Sequence, residues 1–170
     1  MKDATPQEHK AHAPASVGCF VLTISDSKTP DTDTSGALIR ELLTASGHRV
    51  AGHAIVRDEP EQVTAVIRSG CAAPSVEAFI LTGGTGITKR DSTFEAVEAM
   101  LDKRLTGFGE LFRMLSYQDI GPAAMLSRAQ GGVVQGRVLF SLPGSPNACR
   151  LALESLIIPE LGHLIREVNR

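Results

Sequence analysis

The chain contains no tryptophan, and aromatic residues make up only 4% of its 170 positions. That argues against a stacking platform for single-stranded nucleic acid, which needs rings on which successive bases lie. Positive charge is not in excess either: the formal net charge is −2, so nothing indicates a surface that neutralises a nucleic-acid backbone. No apolar run is long enough to cross a bilayer, and residues 1–15 lack the apolar centre of a secretory signal. A cytoplasmic protein without membrane or nucleic-acid partners is therefore expected. Cysteine is scarce: Cys19, Cys71 and Cys149 are far apart and form no C-x-x-C, so neither a zinc site nor a disulfide framework is implied. Cys19 reads as a core residue, and Cys149, just after a tight turn, as either a packed side chain or a reactive thiol. Internal repeats are absent too.

What is present is an ordinary globular composition, 42% hydrophobic and 21% charged, in a length that suits one domain with a proper core. Residues 1–15, polar with scattered His and Pro, read as a disordered tail, and residues 16–170 as a single domain. His9 and His12 fall in that tail, where two isolated histidines rarely hold a metal. Residues 17–24 predict a first strand running into Ser25-Asp26-Ser27. Thr34-Ser35 start a helix with Leu38, Ile39, Leu42 and Leu43 at helical spacing and Gly47 as its stop. Residues 49–56 read as a second strand, Asp58-Glu59-Pro60 as the start of a second helix, 76–81 as a third strand and 93–101 as a third helix. Further on, 107–115 and 123–129 look helical, and 133–134 with 138–142 form a hairpin whose turn signal is Gly136. A last helix runs from about 147, interrupted near Pro159. This alternation predicts a three-layer α/β fold, a mostly parallel central sheet with helices on both faces. Ligands bind such sheets beyond the carboxyl ends of the strands. Ser25, Asp58 and the loop after the third strand all fall there.

That loop, Thr82-Gly83-Gly84-Thr85-Gly86-Ile87-Thr88-Lys89-Arg90-Asp91-Ser92-Thr93, carries the strongest signal. Three glycines free the backbone to turn and expose N–H groups, hydroxyls and two cations follow, and a helix begins. A helix start lacks internal partners for its first N–H groups and is the positive end of the dipole, so strand, glycine loop and helix together make an anion cradle. The glycine spacing fits neither a Walker loop nor a dinucleotide fingerprint. Asp91 is a carboxylate beside this cradle, repulsive to phosphate unless a cation lies between. Mg²⁺ resolves the conflict, because it takes one or two carboxylates plus phosphate oxygens. Asp58 and Asp91, if at neighbouring strand ends, could share one ion; as plain helix caps, both would also be explained.

Several further segments are open to two readings. Ser25-Asp26-Ser27 is either a loop whose side chains bond the backbone or a polar wall for a ligand. Glu110 is a cap or a ligand contact. Ser127-Arg128 suits phosphate or lies on the surface. Leu142-Pro143-Gly144-Ser145-Pro146 is a second strand-to-helix loop and, by the same N–H argument, a second candidate anion site. A nucleophilic serine is not indicated, since no G-x-S-x-G occurs.

Thr23-Ile24-Ser25-Asp26-Ser27, Asp31-Thr32-Asp33-Thr34-Ser35-Gly36, Thr82-Gly83-Gly84-Thr85-Gly86, Arg90-Asp91, Gly107-Phe108-Gly109-Glu110-Leu111-Phe112-Arg113, Leu126-Ser127-Arg128-Ala129 and Leu142-Pro143-Gly144-Ser145-Pro146 occur in this order. The ordered set resembles the molybdenum cofactor biosynthesis protein B family, the MoaB/MogA-type molybdopterin-binding proteins, from about residue 17 to the end. The resemblance implies an α/β domain that binds molybdopterin at the sheet edge. It further implies adenylyltransfer: AMP from Mg-ATP joined to the terminal phosphate of molybdopterin, with release of pyrophosphate. A partner enzyme would then insert molybdate or tungstate. Asp58 and Asp91 would serve catalysis and Mg²⁺ handling. Gly83, Gly84, Thr85 and Gly86 would bind phosphate, and Ser25, Glu110, Ser127, Arg128, Pro143, Gly144 and Ser145 would line the ligand pocket. A homotrimer or homohexamer is implied as well. Ser92 and Phe94 depart from the family pattern, which more often has a small apolar residue and Pro there. Two other functions stay open on sequence: a non-catalytic molybdopterin carrier, and a nucleotide-processing hydrolase of the same fold.

Overall fold

The computed structural model describes residues 13–89 and 91–170. Strand β1 (Gly18–Ile24) leads to helix α1 (Thr34–Ala45), strand β2 (Arg49–Val56), helix α2 (Pro60–Cys71), strand β3 (Ala78–Gly83), helix α3 (Thr93–Met100) and the two-residue strand β4 (Lys103–Arg104). Helix α4 (Thr106–Ile120), a 3₁₀ segment (Gly121–Leu126), strands β5 (Gln130–Val134) and β6 (Arg137–Leu142), helix α5 (Pro146–Ala152), a π turn (Leu153–Ile157) and helix α6 (Ile158–Val168) complete the chain. The six strands form one sheet in the order β2-β1-β3-β6-β5-β4. The first four in that order are parallel, while β5 is antiparallel to both β6 and β4. The expected three-layer α/β architecture is what folds.

Period-2 alternation along the central strand explains the layering, since successive strand side chains point to opposite faces. In β3, Ala78 and Ile80 join Ile39, Leu43, Phe112, Phe140, Cys149 and Leu161 on the face covered by α1, α4, α5 and α6. Phe79 and Leu81 join Leu22, Val63, Ile67, Val97 and Leu139 on the face covered by α2 and α3. A strand buried on both sides must read as a continuous apolar run, which is why Phe79-Ile80-Leu81 is one. Each such fully buried side chain contributes about 1.5–3 kcal/mol of transfer free energy.

The second half departs from expectation in detail. β4 was not foreseen, because two residues leave no periodic trace. The helix expected over 123–129 is the shorter 3₁₀ segment ahead of β5, and α4 runs five residues beyond the expected end at 115. The interruption of the last helix is the π turn: the helical backbone runs from α5 through it into α6, and Pro159, which lacks an N–H and crowds the carbonyl one turn back, follows just after it. The hairpin is as expected, its turn made by Gln135 and Gly136, both at positive φ. His9, His12 and Arg90 lie outside the described residues. Among those that are described, no helix is long and apolar enough to cross a membrane.

Candidate functional site

Ile24 pairs with Val56 on one side and with Gly83 on the other, and Thr82 pairs with Leu142. The four parallel strands therefore end on one line. Gln130, at the start of antiparallel β5, faces Ser141 at that same end, and β4 leads into α4 there too. All the candidate residues follow or precede strand ends on this edge: Asp58 after β2, Ser25 after β1, the glycine loop after β3, Pro143 to Ser145 after β6, Ser127 and Arg128 before β5, Glu110 on the first turns of α4.

The strand order also corrects one expectation. β1 lies between β2 and β3, so Asp58 and Asp91 do not follow neighbouring strands; their strand ends stand two spacings, roughly 10 Å, apart. Chain order alone does not give strand order. Neither aspartate caps a helix: Glu59 and Ser92 occupy the N-cap positions of α2 and α3, without side-chain capping bonds.

The glycine loop turns on Gly83 and Gly84, with φ of 92° and 66°, values that side-chain-bearing residues rarely adopt. Among the described residues, no hydrogen bond engages the main-chain N–H groups of Gly84, Thr85 or Gly86. Asp91 folds back over the loop. Its Oδ2 accepts the Thr88 N–H at 2.7 Å, and its carboxylate fills the space a Cβ at Gly86 would need. Two side-chain oxygens on this edge are buried with no partner among the described residues, Asp58 Oδ1 and Thr93 Oγ1. A buried carboxylate oxygen without a donor is costly; a proton or a cation relieves it. The Asp58 main-chain N–H is itself held by Asp26 Oδ1 at 3.3 Å, which ties the end of β2 to the Ser25-Asp26-Ser27 loop.

Other candidates are engaged within the protein. The Ser25 hydroxyl accepts the N–H groups of Ser27 and Lys28, at 3.3 and 3.2 Å. Ser145 caps α5 by accepting the Ala148 N–H at 3.3 Å. Pro143 O accepts from Thr82 Oγ1 at 3.1 Å and Gly144 O from Ser35 Oγ at 2.8 Å. Cys149 lies beneath this loop, wholly buried, and burial pushes its thiol up to about 11; it is a packing residue, with no thiolate at neutral pH.

On the far side of the edge, Glu110, Ser127 and Arg128 line a cavity of about 400 Å³ together with Phe94, Arg104, Thr106, Arg113 and Gln130. The last five were missed as site residues in the sequence. Arg113 alone had a signal, since it closes the Gly107–Arg113 motif; the others come from α3, β4, the start of α4 and β5, which only the fold brings together. Arg113 is fixed by the Ala129 and Ser127 carbonyls, at 3.2 and 3.5 Å. Arg128 reaches out of this cavity to the glycine loop, donating to Thr85 O at 3.1 Å and to Gly86 O. It also pairs with Glu95 and lies 4.3 Å from the Phe94 ring centroid. A main-chain N–H and the Arg128 guanidinium together hold the Glu95 carboxyl below its ordinary value. Among the described residues no group of three or more His, Cys, Asp or Glu could form an all-protein metal cage.

Comparison with known proteins shows the family to which this fold belongs. Residues 20–163 match the family described as a probable molybdopterin binding domain. The chain is 52% identical over 164 residues to molybdenum cofactor biosynthesis protein B of Bacillus cereus, spanning 96% of this chain and 97% of that one. It is 53% identical over 163 residues to the protein of the same name from Halalkalibacterium halodurans, spanning 95% and 96%. A crystal structure of a molybdenum cofactor biosynthesis protein B superposes with a TM-score of 0.90 at 52% identity, over 94% of this chain and 99% of that one. The tungsten cofactor synthesizing protein MoaB from Pyrococcus furiosus superposes with a TM-score of 0.81 at 38% identity, over 93% and 100%. With a family match over most of its length and relatives of this identity, the chain belongs to the MoaB-type molybdenum cofactor biosynthesis proteins and carries their molybdopterin-binding domain.

Proposed function

We propose that this protein binds molybdopterin at the carboxyl edge of the sheet and adenylylates it with Mg-ATP. A terminal phosphate oxygen of the pterin forms a bond to the α-phosphorus of ATP, the bond from that phosphorus to the β-phosphate's bridging oxygen breaks, and pyrophosphate leaves. The observation that carries this reading is the unpartnered Asp58 Oδ1 on the same edge as a glycine loop whose N–H groups meet no protein acceptor among the described residues. Acceptor-less amides ask for an anion, and a donor-less buried carboxylate oxygen asks for a cation.

Such a reaction needs no protein nucleophile. It needs alignment, neutralised charge and donors for the transition state. In this reading the Gly84, Thr85 and Gly86 amides hold a phosphate, and Glu110, Ser127 and Arg113 line the cavity beside it. Asp58 fits Mg²⁺, which takes most of its ligands from phosphates and water and needs only one or two carboxylates. Asp91 stands across the loop as the second acid. Mg²⁺ bound here would neutralise the crowded phosphates and polarise the leaving group. The product would pass to a molybdate-inserting enzyme of the same pathway. A homotrimer or homohexamer belongs to the same proposal and is supported by the exposed apolar side chains of α4, among them Leu111, Met114 and Tyr117.

The test is a coupled pyrophosphate assay with purified protein, Mg-ATP and molybdopterin. Wild type forms pyrophosphate and the adenylylated pterin. Asp91→Asn keeps an oxygen to accept the Thr88 N–H but loses the charge, so turnover falls about 10²–10³-fold while pterin affinity holds within a few-fold. A wild type that binds pterin and forms no product is a carrier, and the transferase proposal then fails.

A further inference from the structure

Arg128 was expected to be a pocket cation for phosphate, yet its guanidinium is directed at the protein. Nε donates to Thr85 O at 3.1 Å, one terminal nitrogen donates to Gly86 O and the other pairs with Glu95. The Phe94 ring lies 4.3 Å from the guanidinium carbon, a cation–π distance. All three nitrogens therefore have an acceptor, and one face of the plane has a ring. The Arg128 side chain is only 22% exposed.

The consequence for the glycine loop follows from peptide geometry. In a trans peptide the C=O and the following N–H point in opposite directions. Holding the Thr85 and Gly86 carbonyls toward Arg128 turns the N–H groups of Gly86 and Ile87 the other way. Glu95 and Phe94 sit on the first turn of α3, directly after the loop, so Arg128 fastens the loop to the helix that follows it.

We propose that Arg128 is a positioning residue: it latches the glycine loop to the first turn of α3 and so aims the Gly86 and Ile87 amides at the ligand, instead of gripping the ligand phosphate itself. This rests on the reading of that loop as the phosphate cradle. The two roles for Arg128 predict opposite signs. Removing Glu95 frees the guanidinium and deletes a negative charge, so a direct grip on phosphate tightens; a latch loosens.

The experiment measures binding of inorganic pyrophosphate in the presence of Mg²⁺ by calorimetry, with amide exchange across residues 82–92 in the unliganded protein. Variants are Glu95→Ala, at an exposed helical position, Arg128→Ala and Arg128→Lys. The latch predicts faster exchange in the loop, with β3 and β6 unchanged, and affinity about tenfold weaker in Glu95→Ala, the scale of a lost bond to a charged group. Lysine cannot serve two carbonyls, a carboxylate and a ring at once, so Arg128→Lys behaves like Arg128→Ala. If Glu95→Ala binds pyrophosphate more tightly, or if Arg128→Lys retains wild-type affinity and loop protection, the latch is overturned while the cradle stands. If wild-type protein takes no pyrophosphate, the cradle itself fails, and the role given to Arg128 fails with it.

Discussion

Two strand-to-helix loops stand side by side on the carboxyl edge of the sheet, one after β3 and one after β6, and in sequence both are candidate anion sites, the first with the stronger signal. Both put glycine and hydroxyl residues between an apolar strand and a helix, and the same anion argument applied to both. In the structure they differ. The loop after β3 leaves the Gly84, Thr85 and Gly86 amides without acceptors among the described residues, and its carbonyls face Arg128. In the loop after β6, the carbonyls of Pro143 and Gly144 accept hydroxyls from Thr82 and Ser35, while the Ser145 hydroxyl closes on its own helix. The main-chain N–H groups of Gly144 and Ser145 likewise have no acceptor among the described residues; the difference lies in what holds the carbonyls, a guanidinium after β3 and hydroxyls after β6, and in the Ser145 side chain, which is engaged by its own helix. The second loop acts as a buttress: Gly144 packs next to Gly83, whose Cα lies 3.7 Å from the place a Gly144 Cβ would take.

The sharpest way to break this comparison is to put a methyl group on each. Gly83 has φ of 92°, and a Cβ there would run into the Ile24 carbonyl. Gly83→Ala is expected to cost about 3 kcal/mol in urea unfolding, combining left-handed strain with a collision against backbone. Gly144 is not at positive φ, and its Cβ would make only ordinary contact, so Gly144→Ala stays within about 0.5 kcal/mol of wild type. Equal costs at the two positions would mean that the loops are not built differently.

Ser145→Ala sharpens the same contrast at smaller amplitude. Loss of an N-cap hydroxyl costs about 1 kcal/mol, and pyrophosphate affinity stays as in wild type because the hydroxyl is engaged with Ala148. A tenfold loss of affinity, measured by calorimetry on the folded variant, would return this loop to the list of ligand contacts.

The sequence was most legible where one segment carries its own signal. The β1, β2 and β3 runs, α1 with its Gly47 stop and the Gly136 hairpin are local patterns, and each appears within a few residues of where the pattern placed it. The glycine loop was legible for the same reason. What could not be read was the relation between segments. The separation of Asp58 from Asp91 by β1 depends on strand order, which follows from the packing of crossovers. The cavity lined by Phe94, Arg104, Arg113 and Gln130 draws on four elements, and no spacing rule links them. The orientation of Arg128 was equally hidden, since a guanidinium beside a phosphate site reads as a phosphate ligand until its acceptors are seen.

The last comparison is between ionised and neutral thiols beneath the second loop. The Cys149 Sγ contacts Thr82 Oγ1 at 3.2 Å and Pro143 O at 3.5 Å, so the protonated form belongs to the network that ties this loop down. Burial raises its pKa to about 11 from an ordinary 9.0. A group whose folded value is raised stays protonated in the native chain while the unfolded chain ionises. Its stabilising effect is then complete below about pH 9 and is lost as the pH climbs toward 11. Stability followed by urea unfolding should therefore be flat with respect to this thiol between pH 6 and 8 and decline above 9. In Cys149→Ala the decline should be shallower, though not absent, because burial raises Cys19 to about 12 in the same manner. Native protein at pH 8 should leave Cys149 unlabelled by iodoacetamide. Rapid labelling there, without unfolding, would show that the loop after β6 opens to solvent, and the distinction between a fixed buttress and a ligand-facing cradle would no longer hold.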